Sequence, residues 1–224
     1  MNGHGLVALL LCTWFSVPVF GQSLPNLKPH QLSGWPDTLV VHTNLGQLED
    51  APIVRDNQDI YVDWAVFNAG PGAATDRFDV VVLVDNAPRR TWFSSGLLPQ
   101  LWTWVNDGNI GKLSAGFHTI RLEIDPAGAV AESDETDNSV EQQVVVTSTN
   151  IIPVRLFDAK TTPEGAFAFS FLGSIGRRYQ VEFSTGVTGW TPMDPVTNLT
   201  GVVPCLYPLV PNEQRSYRVR LLLP

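Results

Sequence analysis

Ile60-Tyr-Val-Asp-Trp-Ala-Val-Phe67 is the stretch on which the fold turns. Ile60, Val62, Trp64 and Val66 alternate with Tyr61, Asp63, Ala65 and Phe67, the two-residue period of a pleated strand whose side chains leave on opposite faces. Asn68-Ala-Gly-Pro-Gly72 then stops it. Downstream, Phe78, Val80, Val82 and Val84 repeat the period, and Asp85-Asn86-Ala87-Pro88 is a turn signal that lets Arg90 to Ser94 return as a hairpin partner. Leu98 to Val105 carries Trp102 and Trp104 on one side of a strand. Phe117 to Asp125 sets Ile120, Leu122 and Ile124 against Thr119, Arg121 and Glu123. A polar, acidic loop from Pro126 to Asn138 leads into a strand over Val140 to Thr147. Upstream, Asp37 to His42 predicts a short edge strand, preceded by a polar lead over residues 22–36.

The count is about seven strands in about 110 residues, the size and spacing of an immunoglobulin-like sandwich. Gly 18 and Pro 17 agree, because neither residue sits well inside a helix and both punctuate short strands. The chain is therefore all-β: a seven-stranded immunoglobulin-like β-sandwich over residues 37–148, then a second, smaller β domain over residues 151–224. Thr147-Ser-Thr-Asn150 is the linker. In the second unit Phe167, Phe169 and Phe171 precede Gly173-Ser-Ile-Gly176, and Tyr179, Val181 and Phe183 follow, which predicts a hairpin. Trp190, a Pro-rich stretch from Pro192 to Pro211 and a closing strand with Tyr217, Val219 and Leu221 complete it. A unit of about 70 residues without disulfides is near the lower limit for folding alone, so it should lean on its neighbour.

At 44% hydrophobic and 16% charged residues, the chain has the means to bury a core and is not disordered. Its 22 acids against 14 bases give a formal charge of −8, which repels phosphate backbones and disfavours nucleic acid as a partner. Leu6 to Val17 is an apolar run, and Pro18 with Val19-Phe20-Gly21 supplies a break and a small residue before a cut ahead of Gln22; residues 1–21 are a signal peptide on this reading. The alternatives are a membrane helix, for which the run is short, and a lipid-modified Cys12, for which Leu11 is bulky. After cleavage the chain would not be inserted in a membrane and would be secreted, or lie at the cell surface or in the periplasm. It would keep one thiol, Cys205, either an apolar filler or a link between two chains.

Four stretches within residues 37–147 carry a resemblance: Val66-Phe-Asn-Ala-Gly-Pro-Gly72, Phe78-Asp-Val-Val-Val-Leu-Val-Asp85, Leu113-Ser-Ala-Gly-Phe-His-Thr-Ile120 and Ile124-Asp-Pro-Ala-Gly-Ala-Val-Ala-Glu-Ser-Asp-Glu-Thr-Asp-Asn138. Together they resemble the cell-adhesion-related domain found in bacteria, CARDB. The last is the most specific and is similar to the family's Glu-Ser-Asn-Glu-x-Asn-Asn signature, with Asp at two Asn positions. The resemblance implies a seven-stranded sandwich in secreted or surface bacterial proteins, a role in adhesion or as a spacer, and no catalytic residues. Gly165 to Ser170, Tyr179 to Thr185, Gly189 to Thr191 and Arg215 to Arg220 are similar to small β modules that end many secreted proteins of the planctomycete and verrucomicrobial type.

Two groups of residues are candidate sites. Asp125, Glu132, Asp134, Glu135, Asp137 and Asn138 offer hard oxygens of the kind calcium favours, although their spacing is not that of an EF-hand. Calcium is the one cofactor the sequence suggests; otherwise these side chains brace turn backbone. Trp92, Trp102 and Trp104 are either a stacking platform for a ligand or part of the core between two sheets. Catalytic signatures are missing: there is no Gly-x-Ser-x-Gly, His-Glu-x-x-His or Cys-x-x-Cys, and His118 alternates with Thr119 in a strand as a structural residue would. Asn198-Leu-Thr200 is a glycosylation sequon only for a eukaryotic secretory path. The function expected is a non-enzymatic binding, adhesion or spacer protein facing a protein or glycan at the cell surface. The alternative is an accessory, carbohydrate-binding module beside a hydrolase, or a weak hydrolase.

Overall fold

The computed structural model describes residues 23–51, 53–186 and 189–223; the segment read as a signal peptide lies outside them. The chain is all-β. Among the described residues nine strands come first: β1 Leu27–Pro29, β2 Leu39–His42, β3 Val54–Arg55, β4 Ile60–Asn68, β5 Phe78–Val84, β6 Ala87–Ser94, β7 Trp102–Gly111, β8 Gly116–Ile124 and β9 Ser139–Thr147. They form two sheets. In one, β1 and β2 lie along one edge of β4 and β7 along the other; the second runs β3-β9-β8-β5-β6. Inward side chains from both, among them Leu39, Val62, Trp64, Phe78, Val82, Ile120, Leu122 and Val146, make one core.

All seven expected strands are present, and two more were missed. The lead over residues 22–36 is not merely polar: β1 pairs with the end of β4 through Leu27↔Asn68, and Leu27 is wholly buried. Three residues are too few to show a period. Gly70 and Gly72 admit this segment, since a Cβ at Gly72 would lie 1.7 Å from the Ser23 carbonyl oxygen. The second, β3, runs parallel to β9 for two residues. β7 also begins later than the expected Leu98, because Gln100 (φ 61°) turns the chain after Pro99. The β5–β6 turn places Asp85 and Asn86 at φ 53° and 65°, the paired positive φ of a two-residue turn whose twist suits flanking strands.

The remaining strands are β10 Arg155–Thr161, β11 Ala166–Leu172, β12 Arg178–Ser184, β13 Thr191–Pro192, β14 Val196–Thr197, β15 Val202–Pro208 and β16 Ser216–Leu221. Here the expected hairpin is corrected. β11 pairs with β10 and β15, whereas β12 pairs with β13, β14 and β16. Gly173 to Gly176 therefore crosses between sheets. Both strands turn their aromatic sides to one core, Phe169 and Phe171 facing Tyr179 and Val181. Two sheets that must each bury a flank face one another, and two paired strands of a single sheet would have left that flank open. Tyr179 fixes the crossing by accepting the Ser174 N–H at 2.6 Å. The crossing then docks on the end of β9, where the Ser148 N–H donates to the Ile175 carbonyl at 2.9 Å and Gly176 lies against Thr147 so closely that a Cβ would meet its Cα at 2.5 Å. Cys205 is buried in this second core. Among the described residues no helix is long and apolar enough to cross a membrane.

Leu122 is wholly buried between β5 and β9. Its replacement by Ala should lower the unfolding free energy by about 2–5 kcal/mol in a urea titration. Phe117→Ala, on the exposed flank of the same strand, should cost under about 1 kcal/mol.

Candidate functional site

The side of β4 turned away from the core carries Tyr61, Asp63, Ala65 and Phe67. Register extends that face sideways, because paired residues of neighbouring strands point the same way. Trp104 stands opposite Ala65 and Trp102 opposite Phe67 on β7; Val40 stands opposite Asp63 and His42 opposite Tyr61 on β2. Trp35 and Leu32 fold over Val40 and Ala65 as a small second core. Trp102 and Trp104, by contrast, remain 47% and 53% exposed. His30 stacks on Phe67 with ring centroids 5.0 Å apart and tilts toward Trp102 at 5.9 Å.

The third candidate tryptophan does not join them on this face. Trp92 points from β6 into the edge of the first core and meets Trp64 edge-on at 5.5 Å. Gly108 makes room for it, since a Cβ there would lie 2.8 Å from the indole. Trp92 and Trp104 instead line opposite sides of an open groove of about 270 Å³ between β6 and β7, with Phe93 and Thr103. The sequence could not separate these roles, because inward and outward tryptophans have the same composition and differ only in strand phase.

In the acidic loop most carboxylates are engaged by nearby donors. Asp125, itself at φ 47°, accepts the N–H groups of Ala129 and Val130 at 3.0 and 2.7 Å. Asp134 accepts the Thr136 hydroxyl and N–H at 2.6 and 2.9 Å, which hold its carboxyl below the usual range. Glu135 accepts the Glu132 N–H. Asp137 accepts from Asn26 and lies 4.0 Å from the Lys28 ammonium. Glu132 is buried; it accepts the Leu27 N–H and the Asn138 amide, and burial pushes its carboxyl up to about 7. Three buried oxygens in and beside the loop, Asn26 Oδ1, Asp137 Oδ1 and Asn138 Oδ1, have no hydrogen-bond partner among the described residues. No three of the loop's carboxylates converge within 4.8 Å.

Two histidines are held by carboxylates. His118 sits between Asp85 at 2.7 Å and the Ser114 carbonyl at 2.8 Å; the Thr119 N–H and the His118 ring hold the Asp85 carboxyl below the usual range. His42, wholly buried, lies 3.0 Å from Asp63 and 3.8 Å from Asp107. Among the described residues His42, Asp63 and Asp107 are the one His, Cys, Asp or Glu group whose ligand atoms converge within 4.8 Å. Sequence reading missed this trio because its members lie on three strands, 21 and 44 residues apart, and form no linear motif. The one available signal was Asp63 itself, a charge in the middle of the most apolar strand. Asn198, the sequon residue, is wholly buried and bonded to Gly173 and Gly201, so it offers no accessible glycan acceptor.

No family model and no curated protein matches the sequence. Among solved structures the chain is similar to a CARDB domain from Pyrococcus furiosus in complex with di-metal ions, at 17% identity and TM-score 0.43 over 56% of this chain and 96% of that one. It is also similar to a cell surface protein domain from Methanosarcina acetivorans, at 22% identity and TM-score 0.41 over 55% and 92%. A third likeness, to red sea bream transglutaminase, has 11% identity and TM-score 0.30 and covers 90% of this chain but 29% of that one.

Glu132 generates a pH dependence of known sign. Its folded value of about 7 stands above the ordinary 4.5, so the folded chain holds the proton more tightly than the unfolded one. The associated stability is full below pH 4.5 and is lost as pH rises through about 7. Urea titrations between pH 4 and 8 should show the unfolding free energy of wild type falling relative to that of Glu132→Gln, by at most about 3 kcal/mol.

Proposed function

We propose that the chain is a non-catalytic binding module that works outside the cytoplasm and grips a neutral glycan with the outward face of β7. The supporting observation is the pair Trp102 and Trp104, each about half exposed, two residues and therefore about 7 Å apart along one strand face. Large exposed indoles on a rigid sheet are costly to leave wet unless a partner covers them. They anchor binding surfaces because they offer wide, flat apolar area at little entropic cost. The net charge of −8 favours an uncharged polymer over an anionic one. Phe67 and His30, stacked beside Trp102, brace the platform from below.

The test is retention and tryptophan fluorescence against a panel of neutral polysaccharides. Trp102→Ala/Trp104→Ala should bind at least about 10-fold more weakly than wild type, whereas Trp92→Ala should lower the melting temperature and leave affinity within about 2-fold. Wild type that shows neither retention nor a fluorescence change on any polysaccharide would end this reading.

A second reading concerns the acidic loop. The unpartnered oxygens of Asn26, Asp137 and Asn138, beside Asp125, Glu132, Asp134 and Glu135, favour calcium as a brace for the loop. Melting temperatures in calcium should exceed those in chelator by a few degrees; identical melts would remove the calcium brace.

A further inference from the structure

β7 bulges at Asp107, where its register on β4 shifts between Val62 and Trp64, and the Gly46 N–H of loop 43–47 reaches the Asp107 carboxylate beside the end of β2. His42 stands at that end, opposite Tyr61. Its Nδ1 is 2.9 Å from the Asn44 carbonyl and its Nε2 is 3.0 Å from Asp63 Oδ1. A neutral imidazole carries one N–H. With that hydrogen on Nδ1, donated to Asn44, the Nε2 lone pair is aimed at a carboxylate in a site where His42 and Asp63 are at most 1% exposed. A positive centre between them would match both groups. Asp107 brings a second carboxylate, with Oδ1 3.8 Å from the same Nε2.

The charges say which positive centre suits the site. A divalent ion with a neutral imidazole and two carboxylates leaves no net charge, and buried charge is tolerated where it is paired or ligated. We propose that His42 Nε2, Asp63 and Asp107 form a mononuclear site for a zinc-class divalent transition metal.

The dimensions agree. Bonds of about 2.0–2.1 Å in tetrahedral geometry put ligand atoms about 3.3 Å apart, between the 3.0 and 3.8 Å seen here. An imidazole nitrogen among only three protein ligands suits zinc rather than calcium or magnesium. The supporting bonds are of the kind that orient metal ligands. The Nδ1 side is tied to a backbone carbonyl, Asp63 Oδ1 accepts the Asp107 N–H at 2.7 Å, and Asp107 Oδ1 accepts the Gly46 N–H at 2.8 Å. Asp107 itself is 32% exposed, which gives a fourth, solvent ligand its place. The site lies beside the tryptophan face and does not depend on it.

The experiment uses the chelator-treated full chain titrated with zinc and, separately, cobalt. Saturating zinc should raise the melting temperature by about 5–10 °C, and cobalt should give the visible absorption of a four-coordinate ion. Asp107→Asn is the informative variant, because Asn accepts the positive φ of 54° at this position and keeps the bond from Gly46; it should weaken zinc binding at least about 10-fold. In the wild type, cobalt should broaden the nuclear magnetic resonance signals of His42, Asp63 and Asp107 and spare those of residues 125–138, a readout that stands even if the variant does not fold. No melting shift and no cobalt absorption in wild type, undiminished zinc binding by a folded Asp107→Asn, or broadening centred on the acidic loop would each overturn the site.

Discussion

Everything in the first unit depends on β4 being covered on both flanks and paired on both edges. Its burial is nearly continuous from Ile60 to Asn68, as befits a central strand. One edge takes β1 and β2 end to end and the other takes β7. A slip of one residue in either pairing would invert every side chain. Trp102 and Trp104 would turn into the core, and His42 and Asp107 would leave Asp63. The apolar inward set, Ile60, Val62, Trp64 and Val66, forbids that slip because each of these residues is at most 3% exposed. Hydrophobic burial on one face thus fixes the chemistry on the other.

The strands themselves were legible where the period ran long enough. β4, β5 and β8 declare themselves through four or three alternating apolar residues, and the Asp85-Asn86 turn through residue types that tolerate positive φ. β1 and β3 were invisible because two or three residues carry no period; what places them is tertiary, Leu27 and Val54 joining the first core and β3 lying parallel alongside β9. The error over β11 and β12 has a different origin. Alternation tells which flank of a strand is buried but not which neighbour it pairs with, and a four-residue turn serves a hairpin or a crossing between sheets equally well. The deciding contacts, Tyr179 to Ser174 and Gly176 to Thr147, are between a side chain and a backbone, and between two units, and neither is periodic.

The candidate sites divide in the same way. That Trp102 and Trp104 share a side follows from their spacing, but that the side is outward follows only from Phe67 and Ala65 opposite them. Trp92, ten residues before Trp102, sits on the other sheet and packs inward, so proximity in sequence was misleading. The acids of residues 125–138 are a loop written in hydrogen-bond acceptors. Asp125 closes its turn on Ala129 and Val130, Asp134 closes on Thr136, and each carboxylate so engaged has its donors within the loop itself.

Glu132 shows why that loop is rich in acid. Its carboxyl reaches the Leu27 N–H, the donor at the start of β1, while Ser133 donates its own N–H to the Pro25 carbonyl at 2.9 Å. The loop therefore supplies both an acceptor and a donor to a strand that β4 pairs on only one edge. Leu27 must stay dry to cap the core, and a dry backbone N–H must have a partner; a carboxylate arriving from the loop meets both demands at the cost of its own desolvation. That cost is the reason its proton is held to about pH 7. The trio of His42, Asp63 and Asp107 applies the same rule to the opposite end of the sheet: a strand end closed by carboxylates is held only as well as their charge is matched.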